Sequence, residues 1–270
     1  DPRIKVIPIK KNLKNLVGKA NVLAHIIPHC KSEYYFITDA DVRVPPAWIK
    51  TILAGFNTKD GIIGGTTIVP VTDLWSGLQN IDWLLAQGLL STATKFGSTL
   101  AVSGTNMMVS REACESIGGY QNIPYSLTED IGLLLAVKQQ GYSGSNLLHP
   151  GCMALTEVQT GVKSLLAQRQ RWTFGVFKLP AFIVLLLFIR ALFLFFVLLV
   201  SLVEPVFGCT LYILKTLTDL ILAKKITGYL RLNWTYWHIL FFEIYWLVMS
   251  MGGAISYLFS INNNWKGKKY

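Results

Sequence analysis

The strongest constraint on this chain is how its apolar residues are distributed after Leu179. Phe182–Val203 is apolar except for Arg190, Pro205–Ala223 is apolar around Lys215 and Asp219, and Tyr236–Phe259 is apolar around Glu243. A helix crossing a bilayer needs about 20 mostly apolar residues. The first and third segments meet that length and the second is marginal; the alternative reading is three buried core helices of a soluble protein. Glu204-Pro205 reads as a tight turn between two spans. From Asp1 to about Lys178 the pattern is that of an ordinary α/β protein. The expected organisation is a folded unit over 1–162, an amphipathic interfacial helix over 163–179 and a membrane region over 180–270.

The formal net charge is +10, with basic residues crowding the N-terminus and flanking the apolar segments. That distribution suits attraction to anionic lipid headgroups. Basic and aromatic residues are not interleaved on one stretch, so a nucleic-acid partner is not expected. With the folded unit in the cytosol, three full crossings place Lys224, Lys225 and Arg231 inside but Lys266, Lys268 and Lys269 outside. The positive-inside rule disfavours this, so one segment is expected to lie in the interface or re-enter. Cys30, Cys114, Cys152 and Cys209 form no CxxC pair and have no His cluster nearby. Free thiols are expected, and a structural zinc site is not.

Within the folded unit, Ile4–Ile9 reads as a strand, Asn15–Ile27 as a helix and Tyr34–Thr38 as a buried strand. A helix near Ala47–Phe56, a strand over Ile62–Val69 and a long amphipathic helix over Leu74–Thr94 follow. Next come a strand over Asn106–Val109, a helix from Arg111 to Gly118, a helix capped by Thr128 and running to Gln140, and a last strand over Tyr142–Leu148. The α/β alternation predicts a mainly parallel sheet covered by helices. Ligands of such folds bind beyond the carboxyl ends of strands, and Asp39 and Asp41 stand at such an end.

Three motifs carry chemistry. Asp39-Ala40-Asp41 places two carboxylates where a strand gives way to a loop, a pattern able to hold Mg²⁺ or Mn²⁺ against substrate phosphates; the plain alternative is a solvated loop pair. A dehalogenase-type phosphatase also places Asp-x-Asp after a strand, but expects Thr or Val where this chain has Arg43. Thr128-Glu129-Asp130 puts two carboxylates in a helix first turn. They complement the helix dipole, and one of them can serve as a general base. In Gln168-Arg169-Gln170-Arg171-Trp172, Gln168 shares a helical face with Arg171 and Trp172. Arg suits a diphosphate through its fork and Trp offers a flat face to a sugar ring; a basic helix with Trp at headgroup level reads the same way.

In this order, Asp39-Ala40-Asp41, Gly104-Thr105-Asn106, Thr128-Glu129-Asp130 and Gln168-x-x-Arg171-Trp172 resemble the membrane-type family 2 inverting glycosyltransferases, which include cellulose, chitin and hyaluronan synthases and ceramide glucosyltransferase. Gly18-Lys19-Ala20-Asn21 looks like that family's Lys-Ala helix, and Trp265-Lys266-Gly267-Lys268-Lys269-Tyr270 resembles the tail of some bacterial members. The resemblance implies a GT-A-type catalytic domain that is N-terminally incomplete here, because the family's opening strand and early Asp have no counterpart before Asp1. It implies Asp130 as catalytic base, Asp39 and Asp41 as ligands of the metal and the donor diphosphate, and Lys19, Gln168 and Arg171 beside the donor. Asn106, Glu129 and Trp172 are implied at the acceptor. The donor implied is a nucleotide sugar, expected to be a UDP-sugar, and the acceptor a lipid or glycan. The location implied is a bacterial inner membrane with the catalytic domain in the cytosol. A membrane scaffold that kept the fold and lost the donor site is the reading from another class.

Overall fold

The computed structural model describes residues 1–270 apart from 14, 15, 17, 124–127, 234, 235, 259–263, 266, 267 and 270. The folded unit contains α1 (Gly18–Ile26), β1 (Tyr34–Thr38), α2 (Trp48–Ala54), β2 (Asp60–Gly64), β3 (Thr67–Ile68), α3 (Leu74–Lys95), β4 (Asn106–Ser110), α4 (Arg111–Ser116), α5 (Glu129–Gln139), β5 (Ser143–Asn146) and β6 (Ala154–Leu155). After it come α6 (Val162–Val176), α7 (Ala181–Val203), α8 (Pro205–Tyr229) and α9 (Ile239–Leu258); near the end, Asn264–Trp265 pairs with Lys268–Lys269.

A four-stranded sheet runs in the order β1-β4-β2-β5. β1, β4 and the middle of β2 carry apolar side chains on both faces, so helices cover both. On one side Ile37, Ile62, Met107 and Val109 pack with Ala24, Leu133, Leu134 and Val137 from the helices. On the other, Ile63 and Met108 pack with Trp48, Ile52 and Cys152. The sheet is mixed rather than mainly parallel: β4 runs antiparallel to both β1 and β2, and only β2 and β5 are parallel. The α/β alternation does not fix strand direction, and β4 enters between β1 and β2 antiparallel to both. α3, which precedes it, packs on two sides: Leu78 and Ile81 meet Leu165 of α6 and Phe242, Tyr245 and Met249 of α9, while Leu84 packs with Ile68 of β3. No parallel β2-α3-β4 unit forms.

Other expectations shift locally. Ile4–Ile9 is not a strand; Ile4 and Val6 are exposed, and no described strand edge meets this segment to supply backbone partners. Ile62–Val69 divides into β2 and β3, because the chain bends at Gly64-Gly65 where a methyl on Gly65 would collide with the Asn106 side chain. β3 then pairs in parallel with β6, a strand too short to read from pattern. The start of α3 is fixed by a capping box in which the Asp73 carboxylate accepts from Ser76 N–H at 2.8 Å.

Three helices are long and apolar enough to cross a bilayer: Ala181–Val203, Pro205–Tyr229 and Tyr236–Leu258. Pro205 opens α8 directly after Glu204, as its missing N–H allows at a helix start. Four of the charged residues of these segments, Arg190, Lys215, Asp219 and Glu243, find one another. The Arg190 guanidinium forks onto Glu243 at 2.7 and 2.8 Å and reaches Asp219 at 3.4 Å; Lys215 bonds Asp219 and lies 3.2 Å from Glu243.

Candidate active site

Sheet register brings the first two motifs together. Thr38, the last residue of β1, faces Asn106, the first of β4. The loop carrying Asp39-Ala40-Asp41 and the loop carrying Gly104-Thr105 therefore leave the same end of the sheet, and the Thr38 hydroxyl donates to the Thr105 carbonyl at 2.9 Å. Lys19 at the start of α1 reaches across both. Its ammonium contacts Asp39 Oδ1 at 2.6 Å and the Gly104 carbonyl at 2.5 Å. The Gly104 N–H in turn donates to Asp130 Oδ2 at 2.8 Å, and Ile131 N–H donates to Asp130 Oδ1 at 2.8 Å. Three contacts in series thus link Asp39 at the strand end to Asp130 at the start of α5.

The third motif arrives on α6, which crosses close over the start of α5. A methyl placed on Gly175 would lie 2.6 Å from Ile131 Cδ1. The result is one cavity of about 1590 Å³ lined by Lys19, Asp39, Asp41, Glu129, Asp130, Gln168, Arg171 and Trp172. Eight of the nine expected residues meet there. Asn106 does not line it: fully buried, it donates to the carbonyls of Thr66 and Cys152 and accepts from Trp48 Nε1. It braces the floor behind Gly104-Thr105, where the acceptor contact expected of it is geometrically closed off.

The electrostatics of α5 depart from those of a solvated first turn. Burial, with Asp130 alongside, pushes the Glu129 carboxyl up to about 7, partly offset by Lys19. Asp130 is also raised, by burial first of all, although the Gly104 and Ile131 N–H groups and Lys19 favour its charged form. Two adjacent carboxylates in a partly closed site do not ionise independently. A shared proton near neutral pH is what a general base requires. Lys178, just beyond α6, feels the Asp130 charge, though burial is the larger influence and lowers its pKa.

The cleft also contains groups that the motifs did not announce. Arg169, an unassigned position inside the third motif, is buried and forms an ion pair with Asp82 of α3 at 2.6 Å. It donates to Tyr245 of α9 at 3.0 Å, and its guanidinium carbon lies 4.0 Å from the centre of the Trp172 ring. Trp83 meets Trp172 edge-on at 4.9 Å. Asp82 and Trp83 sit inside a helix that sequence pattern marks only as amphipathic. The sole available signal was an acidic residue in an otherwise apolar-and-amide helix face. The Gln168 amide oxygen is buried with no hydrogen-bond partner among the described residues, so this motif side chain presents an open acceptor beside the cavity.

Asp39 and Asp41 supply oxygen ligands suited to a hard divalent cation, with substrate phosphates and water completing its shell. Among the described residues no group of three His, Cys, Asp or Glu side chains converges on one point. The donor set fits a cation held jointly with a substrate rather than a resident structural metal.

The structure thus joins an α/β unit, with strand-end carboxylates and a helix-borne Gln, Arg and Trp on one cavity, to three helices of bilayer length. The chain belongs to glycosyl transferase family group 2, whose model matches residues 35–260. It is therefore a glycosyltransferase, and the family implies a nucleotide-sugar donor and an acceptor. No curated protein matches it.

A side chain at Gly104 would press on Asp130. A methyl there would lie 3.2 Å from Asp130 Oδ2, tighter than ordinary contact. Gly104→Ala is expected to lower transfer about tenfold through misplacement of the carboxylate while leaving the unfolding temperature nearly unchanged, as read by parallel activity and thermal-melt assays.

Proposed function

We propose that the protein is a membrane-type inverting glycosyltransferase that moves a hexose from a UDP-sugar to a lipid or saccharide acceptor at the cytosolic face of a bacterial inner membrane. The observation that carries this reading is that Asp39, Asp41, Asp130, Gln168, Arg171 and Trp172 line one cavity, which also reaches residues of the long apolar helices.

Asp130 accepts the proton of an acceptor hydroxyl, and the oxygen attacks the anomeric carbon from the side opposite the nucleotide. Arg171 faces the departing diphosphate and stabilises its charge. Lys19 holds Asp39 in place and adds positive charge beside the donor. Asp39 and Asp41 would hold Mg²⁺ or Mn²⁺, which when bound neutralises the donor's phosphates. Trp172, backed on one face by Arg169 and at its edge by Trp83, offers its remaining face to a sugar ring. Glu129 tunes the proton affinity of Asp130.

Purified protein in native-like membranes, given a panel of UDP-hexoses and Mn²⁺, is expected to yield a β-linked product by mass spectrometry and NMR. The rate is expected to fall on the acid side of about pH 7, where Glu129 and Asp130 retain a proton between them. An α-linked product from an α-linked donor, or a rate unchanged down to pH 5, would refute the assigned chemistry. Metal-dependent binding of UDP separates the enzyme from a degenerate scaffold, which shows none.

A further inference from the structure

The third motif is seated on a helix of bilayer length. α6 lies so close along α9 that a methyl on Gly252 would come within 2.5 Å of Leu166 Cδ2, and one on Gly253 within 3.0 Å of Thr173 Oγ1. Gln170 Nε2 adds a hydrogen bond to the Ser256 carbonyl at 3.0 Å. About two turns earlier on α9, the buried Tyr245 receives the Arg169 side chain.

Three side chains from three helices meet there. Arg169 Nη2 lies 2.6 Å from Asp82 Oδ2 and donates to the Tyr245 hydroxyl at 3.0 Å; that hydroxyl donates to the same Asp82 oxygen at 3.3 Å. The ring of contacts is closed, and none of the three residues is more than 7% exposed. The Arg169–Asp82 contact is not the two-pronged fork of a bidentate pair: Arg169 Nε and Nη1 have no hydrogen-bond partner among the described residues. A guanidinium held through one nitrogen can pivot about it, and the Tyr245 hydroxyl supplies a second fixed point. The tilt of that plane matters, because the guanidinium carbon lies 4.0 Å from the centre of the Trp172 ring, whose other aromatic support is Trp83, edge-on at 4.9 Å. The Tyr245 ring is itself well fixed. It stacks on Phe242 with centroids 5.9 Å apart and meets Trp75 edge-on at 6.2 Å.

We propose that Tyr245 is a positioning residue of the transferase, which sets the plane of Trp172 through Arg169. Tyr245 does not line the cavity, so it acts on substrate only through these neighbours. Asp82 balances the charge of Arg169, and Tyr245 gives it direction. The seating of α9 thereby becomes a condition for the sugar platform to stand. This rests on the reading of Trp172 as that platform and adds the residue that orients it.

The test uses the full chain in detergent micelles. Two tryptophans this close and edge-on couple their absorption, giving a paired signal in far-ultraviolet circular dichroism that the difference between unsubstituted protein and Trp172→Phe isolates. Tyr245→Phe, which removes only the hydroxyl, is expected to lose most of this signal and to lower transfer from the UDP-hexose panel about tenfold through misplacement. Its melting temperature and Mn²⁺-dependent UDP binding are expected to stay nearly unchanged. In protein already carrying Arg169→Met and Asp82→Asn, Tyr245→Phe is expected to add no further loss of signal or transfer, as a residue acting through Arg169 must. The assignment is overturned if Tyr245→Phe leaves the signal intact, or loses the signal with transfer unchanged, or lowers transfer by the same factor in that background. It is overturned too if Tyr245→Phe abolishes UDP binding and cooperative melting, since the hydroxyl then serves the whole fold. Unsubstituted protein that neither binds UDP nor transfers sugar removes the glycosyltransferase reading, and the circular-dichroism comparison still decides whether Tyr245 orients Trp172.

Discussion

Replacing Asp130 with Asn is expected to lower sugar transfer by about 10²–10⁴-fold, the range for loss of a positioned general base, while UDP still binds in the presence of Mn²⁺. The geometry makes this a demanding substitution. Both carboxylate oxygens accept backbone N–H groups, from Gly104 and Ile131, each at 2.8 Å. An asparagine satisfies one and turns its own NH₂ toward the other, so a local loss of order accompanies the loss of the base. Isothermal titration with UDP, run beside the activity assay, separates the two effects. Intact binding with abolished transfer places the base at Asp130. Undiminished transfer would remove it from that role, and Glu129, whose carboxyl is held near 7, would be the next group to replace.

The second large effect is structural in origin. Arg169→Met leaves Asp82 buried without its cation, and breaking one side of such a pair costs about 3–5 kcal/mol. Burial already raises the Asp82 carboxyl, with Arg169 the main influence opposing it; without Arg169 the group takes up a proton to fold. Adding Asp82→Asn to Arg169→Met is expected to recover most of the unfolding temperature, because a neutral pair avoids the desolvation of charge. Transfer is not expected to recover with it. Arg169 also backs the Trp172 ring at 4.0 Å and reaches Tyr245 of α9, so the doubly substituted protein folds with its tryptophan unsupported. Thermal melts and acceptor KM measured on the single and double variants distinguish the two roles. A double variant that regains both stability and activity would reduce Arg169 to a packing residue.

How much of this was legible beforehand depended on the range of the interactions. The membrane segments and β1 stood out because a continuous apolar run needs no partner to be recognised. The α3 boundaries were readable from Leu74 to Thr94, but its role was not: the same amphipathic stripe serves equally well on a sheet or on other helices, and only tertiary contacts showed it lying against Phe242 and Tyr245. The expectation of a mainly parallel sheet came from the α/β alternation, which does not fix the direction in which β4 enters between β1 and β2. Ile4–Ile9 had strand-like residues but no edge to pair with. The motif residues were found through local spacing plus their order along the chain. Asn106 carried the right motif and the wrong orientation, since whether a strand's first side chain points into a cleft or under it depends on a one-residue register. Asp82 and Trp83 could not be found at all, because their partners lie on α6, more than 80 positions later.

The balanced quartet between the long helices also bears on how the chain reaches its membrane. Alone in a bilayer, α7 carries Arg190 with nothing to offset its charge, an arrangement that is costly in hydrocarbon. Entry of α8 through the Glu204-Pro205 turn brings Asp219 but also Lys215, leaving one surplus positive charge until Glu243 arrives with α9. The charge balance therefore favours the three helices together over the hairpin of α7 and α8 by itself, because the last counter-charge arrives only with α9.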